Sequence, residues 1–130
     1  MTARTSSLLR RAALALVFLW FFLGGIAHFV FTDSEMRIVP PSIPSPHAVV
    51  LLTGVLELLG ALGVLLPLTR RAAGVGLLAL TIAVTPANIY MLQHADSFGV
   101  ASWLLVLRLP FQVVLLALIA WSTWPRGLTA

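Results

Sequence analysis

Glu57 and Arg108 each interrupt a long apolar run, and between them they offer the most demanding chemistry in the chain. A carboxyl among aliphatic side chains takes up or releases a proton. A guanidinium in the same surroundings is a permanent cation that seeks a carboxylate, a carbonyl oxygen or another anionic group. Milder polar groups stand in neighbouring runs: His28, Thr53, Thr81, Thr85, Asn88 and Gln112. Helical spacing gathers them. Gly54, Glu57 and Ala61 share one face, Gln112 lies one turn from Arg108, Thr81, Thr85 and Asn88 form a stripe, and His28 shares a face with Gly24 and Gly25. Small residues beside a polar one let a neighbouring helix approach closely.

The elements that position these groups follow from composition. Of the 130 residues 60% are apolar and 9% charged, and the mean hydropathy is +1.05, which leaves too little polar surface for a water-soluble domain. Four apolar runs are each close to the roughly 20 residues that cross a bilayer. They cover about 12–31, 47–66, 72–92 and 100–122. The sequence therefore predicts an all-α fold, an integral membrane four-helix bundle forming a single transmembrane domain over 1–130. Short links from the second run to the third and from the third to the fourth make those helices antiparallel neighbours.

The net charge of +4 comes from eight arginines with no lysine. Arg4, Arg10, Arg11, Arg70, Arg71 and Arg126 fall on one side of the predicted membrane, against Arg37 among Asp33, Glu35 and Asp96 on the other. The positive-inside rule then places both termini in the cytoplasm, with Trp121 and Trp124 as interfacial anchors at the exit of the fourth span. Arginines flanking apolar runs do not form a nucleic-acid patch. A secretory signal cleaved before His28 is the rival reading of the first run, but its apolar core is longer than the about 7 to 15 residues of a signal. A short echo between Ala27-His28-Phe29 and Ala87-Asn88-Ile89, each followed by an Asp-Ser pair, suggests two like-oriented hairpins.

At about 1.5 Å per residue, Glu57 lies roughly 15 Å and Arg108 roughly 13 Å below the outer end of its span. A lone charge at that depth costs about 2.5 to 3.5 kcal/mol on insertion scales, so a Glu57–Arg108 pair is expected. The pair either fixes helix register or serves a site. His28 and Asn88 come out roughly 6 Å deep, with Thr53 between them and the charges, which outlines a polar cleft opening outward. Pro86 and Pro110 each leave a carbonyl without its helical donor, at Ile82 and Val106, and are expected to bend their helices beside that cleft. The proline-rich outer segment 38–46 is expected to be stiff and extended, either as a cap over the cleft or as a spacer on the headgroups.

Cysteine is absent, which excludes disulfides, thiolate metal sites and covalent c-type haem within this chain. His47 and His94 read as loop-end residues, which disfavours bis-histidine haem. No two candidate metal ligands share a helix at ligand spacing. With no nucleophile and base in register, an independent enzyme is not expected and no catalytic residue is assigned.

In order and spacing, several anchors resemble the DoxX family of small prokaryotic membrane proteins. They are His28-Phe29; Arg37-Ile38-Val39-Pro40-Pro41; Thr53-Gly54-Val55-Leu56-Glu57 with Gly60; Pro67 with Arg70-Arg71; Pro86-Ala87-Asn88-Ile89-Tyr90-Met91; and Leu107-Arg108-Leu109-Pro110-Phe111-Gln112. The resemblance implies a four-helix bundle in the prokaryotic plasma or inner membrane, associated with quinone-linked redox chemistry and with a membrane or periplasmic redox partner. The lack of cysteine argues against a direct sulfur relay.

The expected function is an accessory subunit of a membrane redox system that holds a small amphipathic ligand, with quinone as the candidate cofactor. Glu57, Arg108, His28, Asn88, Thr53, Thr85 and Gln112 are the candidate ligand or proton site. Phe29, Tyr90 or Phe111 would supply a flat apolar contact. The alternatives are a component for small-solute, proton or lipid transport, which four spans would need to build by homo-oligomerising, and a structural or assembly partner in the bilayer.

Overall fold

In the computed structural model, which describes residues 2–125, seven helices occur in chain order. They are α1 (Ala3–Val30), α2 (Thr32–Arg37), α3 (Pro46–Leu65), α4 (Arg70–Ala83), α5 (Thr85–Gln93), α6 (Ala95–Phe98) and α7 (Ser102–Thr123). Four units are long and apolar enough to cross a membrane: α1, α3, the nearly continuous α4 and α5, and α7. The chain is thus an all-helical protein of multi-pass membrane type. Its outer surface agrees, since Leu19, Leu23, Leu52, Leu59 and Val113 are all exposed, an arrangement suited to hydrocarbon and not to water.

The four long units pack in the cyclic order α1, α3, α4, α7, so that α1 and α4 stand on one diagonal and α3 and α7 on the other. The closest packing joins α1 to α3. Small residues permit it: a Cβ on Gly54 would lie 2.7 Å from His28 Cβ, and one on Gly25 would lie 2.8 Å from Leu58 and 3.2 Å from the Gly54 carbonyl.

The bundle has two unlike halves. Leu14, Val17, Phe21, Ala61, Val64, Leu77, Leu115 and Ile119 form a close-packed apolar core in the half near the amino terminus and the α3–α4 link. At that end arginines hold helix ends. Arg10 donates from Nε to the Ser122 carbonyl (3.0 Å) and from Nη2 to that of Trp124 (2.6 Å), while Arg70 donates to the carbonyls of Val64 (2.8 Å) and Leu65 (3.2 Å). These are last-turn carbonyls without helical donors, and a cation there also opposes the negative end of the helix dipole. Arg71 lies 4.6 Å above the Trp124 ring. Arg126, counted with this cluster in the sequence, lies outside the described residues.

The other half is looser and polar. Asp33 and Glu35 in the first turn of α2 and Arg37 in its last suit the helix dipole, but six residues leave no periodic apolar signal, and neither α2 nor α6 was legible as a helix. Arg37 ties the two together, donating to the Ser97 carbonyl at 2.9 Å and lying 5.4 Å from the Phe98 ring. The proline segment departs from the extended form expected of it. Ile43 N–H donates to the Pro40 carbonyl at 2.9 Å, closing a turn with Pro41 at its second position, and Ser45 adopts a left-handed conformation (φ 54°) just before α3. Proline presets the backbone angle of that turn position, and the same angle serves an extended polyproline segment, so these prolines are compatible with the reversal as well as with extension.

Pro86 interrupts its helix as expected, the ladder breaking at Val84 between α4 and α5. Pro110 lies inside α7, which continues as a helix on both sides of it.

Candidate functional site

α1 brings His28 to the polar half, and the α1–α3 crossing seats it between Val50, Thr53 and Glu57. Its Nδ1 lies 2.8 Å from the Val50 carbonyl and 3.1 Å from Thr53 Oγ1. A carbonyl only accepts, so the hydrogen-bond network assigns the proton to Nδ1. The Thr53 hydroxyl donates to the Val49 carbonyl at 2.8 Å, which leaves its lone pairs to share the Nδ1 hydrogen.

The opposite ring nitrogen faces acids. His28 Nε2 is 3.4 Å from Glu57 Oε2 and 3.9 Å from Glu35 Oε2. With Nδ1 protonated, Nε2 of a neutral imidazole presents a lone pair, and so does an ionised carboxylate. The His28–Glu57 contact is therefore attractive only with one proton on either partner. Its 3.4 Å separation suits an ion pair but lacks hydrogen-bond alignment, so Glu57 Oε2 is buried without a hydrogen-bond partner. Such a group is costly in an apolar interior and calls for explanation.

The expected Glu57–Arg108 ion pair does not form. Arg108 is exposed, and its Nη1 points to Met91 Sδ at 3.7 Å. Equal depth placed the two charges level, but depth is one coordinate. Their helices are diagonal across the bundle, and Glu57 meets α1 first because the glycines at that crossing remove the intervening side chains. A Cβ on Gly24 would lie 3.2 Å from Glu57 Oε2.

Glu57 and Arg108 instead face shared space. Both line a cavity of about 260 Å³ whose walls include His28, Glu35, Thr53 and Asn88, and against which Ile38, Val39, Pro40 and Ile43 of the proline turn are placed. Both also line a smaller cavity of about 70 Å³ with Trp20, Phe111, Asn88 and Gln112. A third, open groove runs along α1 past Leu16, Leu19, Leu23 and Gly24 to His28, Glu35, Glu57 and Arg108. The first cavity is slightly below the about 300 to 1,000 Å³ of ordinary small-molecule pockets. It is large enough for a compact head group whose tail continues into the groove.

Asn88, Gln112 and Thr85 are linked to one another. Asn88 Nδ2 donates to Gln112 Oε1 at 2.8 Å and Gln112 Nε2 donates to Thr85 Oγ1 at 2.5 Å, with Thr85 passing its own hydrogen toward the Thr81 carbonyl (3.4 Å). This network joins α5 to α7 across the Val84 break. Asn88 and Gln112 reach cavity walls, whereas Thr85 acts behind them.

Of the aromatic candidates, Phe111 lines the smaller cavity and packs on Trp20 with ring centroids 4.8 Å apart. Tyr90 packs on His94 and Phe98 instead, and Phe29 lies over Gly54. Glu35 was missed as a site residue because it sits in a polar connection where a charge needs no explanation. Among the described residues no cluster of three or more histidine, aspartate or glutamate side chains is arranged to hold a metal ion.

Fold and site together define a small multi-pass helical membrane protein with an apolar packed half and a half hollowed around charged groups. Residues 14–125 match the model of a family described as a domain of unknown function, DUF8561, and the chain belongs to that family. No curated protein and no solved structure matches it.

Proposed function

We propose that this protein is a DoxX-like accessory component of a quinone-linked redox system in a prokaryotic plasma membrane, and that it holds the head group of a quinone or similar amphiphile in its polar half. The observation that carries the reading is the convergence of Glu57 and Arg108 on one cavity without pairing to each other. An exposed guanidinium in mid-span is a ready donor to a ligand carbonyl, and Asn88 on the same wall is a second polar contact. Trp20 and Phe111 offer flat apolar faces beside it. Leu16, Leu19 and Leu23 continue the site as an apolar track for a tail, open to the surrounding lipid.

The arginine-rich end of the bundle faces the cytoplasm in this reading, by the positive-inside rule, and the cavity beneath the proline turn faces outward. A membrane or periplasmic redox protein would dock there. The protonatable His28–Glu57 contact supports the redox assignment, since quinone reduction takes up protons with electrons.

The test is binding of a short-tailed ubiquinone analogue to purified protein in lipid nanodiscs. Saturable binding that weakens in Arg108→Gln, with the melting temperature kept, is expected. The reading fails if no quinone copurifies and no saturable binding is seen. Solute uptake by proteoliposomes that disappears in Glu57→Gln would replace it with a transport role.

A further inference from the structure

We propose that Glu35, His28 and Glu57 form a proton path from the α2 end of the bundle to its interior, with His28 Nε2 as the atom that passes the proton. Two carboxylate oxygens approach this single nitrogen, one at 3.9 Å from α2 and one at 3.4 Å from α3. Glu35 is the most open of the three, its side chain 26% accessible against 13% for His28 and 14% for Glu57. Glu35 can therefore exchange with water while Glu57 cannot do so as directly. A movement of the Glu35 carboxylate by about 1 Å brings it into hydrogen-bond range of Nε2.

The other ring nitrogen explains why His28 suits the task. Nδ1–H is held by the Val50 carbonyl and Thr53 Oγ1, so the ring is fixed in orientation and tautomer while Nε2 remains free to accept. A proton leaves the Glu35 carboxyl for Nε2 and makes an imidazolium that keeps its Nδ1 bond. The Nε2 proton then passes to the Glu57 carboxylate, and His28 returns to its neutral form. No electron moves; one proton is displaced from α2 to α3. Glu57 Oε2, buried without a hydrogen-bond partner, is the acceptor this step requires.

The groups facing this path are few. His28 comes from α1, Glu35 from α2, Glu57 from α3 and Arg108 from α7, while the wall formed by α4 and α5 contributes Ala83, Val84, Pro86, Ala87 and Asn88, none of them titratable. Because Glu35 and Glu57 line the same cavity and the same groove, the path ends where the ligand proposed above would sit. Its purpose rests on that reading, but its test needs no ligand.

Residues 35 and 57 are the only glutamates in the sequence, so labelling with ¹³C-glutamate isolates their carboxyl signals in the infrared. Full-length protein in lipid nanodiscs would be transferred rapidly to D₂O and the exchange of the Glu57 carboxylic proton followed. Exchange is expected to slow by about a hundredfold in Glu35→Gln and in His28→Asn, as befits loss of a positioned proton carrier. Glu35→Asp, one methylene shorter, should slow it by an intermediate amount, and this milder variant serves if either of the others fails to fold. An unchanged Glu57 exchange rate in folded Glu35→Gln or Glu35→Asp would overturn the path. So would a Glu57 that gives no carboxylic acid signal at any pH where the protein remains folded. Quinone binding that fails while these rates respond would remove the ligand reading and leave the path standing.

Discussion

Gly24 and Glu57 are in contact across the α1–α3 crossing, the carboxylate resting on bare backbone at a place where a Cβ would stand 3.2 Å from Oε2. A methyl group there must displace the flexible end of the Glu57 side chain by a few tenths of an ångström. Gly24→Ala is therefore expected to change stability by less than about 1 kcal/mol, since the displaced group is a side-chain tip and alanine favours helix. Ligand affinity should fall because the carboxylate is pushed toward the cavity. Gly54→Ala is the contrasting case, for its Cβ would meet His28 Cβ, fixed directly to the α1 backbone, at 2.7 Å and the edge of the Phe29 ring at 3.0 Å. Overpacking of that kind costs about 1 to 3 kcal/mol. Thermal melting of the two variants in one detergent checks the difference.

Arg108→Gln separates a ligand-binding cation from a structural one. Among the described residues Arg108 has no carboxylate partner, and a charge in mid-membrane opposes insertion by about 2.5 to 3.5 kcal/mol. Its removal should leave the melting temperature unchanged or raise it. Quinone binding should weaken by roughly ten- to a hundredfold, the equivalent of one charge-assisted hydrogen bond of about 1.5 to 3 kcal/mol. A marked loss of stability with binding intact would assign Arg108 to the fold instead.

The fate of the Glu57–Arg108 pair marks how much of the site was legible in the sequence. Spans, polar faces and the depth of each group are read from apolar run length and helical rise; α3, α4 with α5, and α7 end within two residues of the expected limits, whereas α1 begins at Ala3, nine residues before the expected start at about 12. Neighbour order does not follow from these. Several cyclic arrangements satisfy the same loops, and only the close α1–α3 crossing, made at glycines, decides that Glu57 meets His28. Glu35 was hidden for a different reason. Its helix is a polar stretch of six residues between the first apolar run and the proline segment, so nothing in its pattern announces that it turns back over His28. The proline segment was legible as rigid but not as a turn, because the same residue type serves both conformations.

Gln112→Leu tests whether the polar network is a structural joint. Gln112 accepts from Asn88 and donates to Thr85, so leucine leaves a donor and an acceptor unmatched on α5 at the Val84 break. The expected cost is about 1 to 3 kcal/mol. Because Asn88 also faces the cavity, its freed amide should alter quinone affinity as well. Asn88→Ala combined with Gln112→Leu should cost less than the sum of the single changes, since each removes the partner the other strands. A double-mutant cycle on melting free energies measures the coupling, and strict additivity would show that the network holds nothing together.

Gly74 and Gly76 lie two residues apart on α4 and face opposite circumstances. A Cβ on Gly74 would collide with the Thr123 side chain on α7, which is itself buried and hydrogen-bonded to the Ile119 carbonyl at 2.6 Å. Thr123 cannot turn away without breaking that bond, so Gly74→Ala must separate α4 from α7 near the arginine-rich end. A Cβ on Gly76 meets nothing within 4 Å and points into the open apolar groove between α3 and α4. There alanine only removes glycine's flexibility, a gain of up to about 1 kcal/mol in a helix interior. Gly74→Ala should thus lower the melting temperature and Gly76→Ala should hold or raise it, although both make the same chemical change in the same helix. Equal responses would mean that α4 does not approach α7 along the face described. A loss confined to Gly76→Ala would mean that the groove beside α3 is covered in the membrane by another helix at close range.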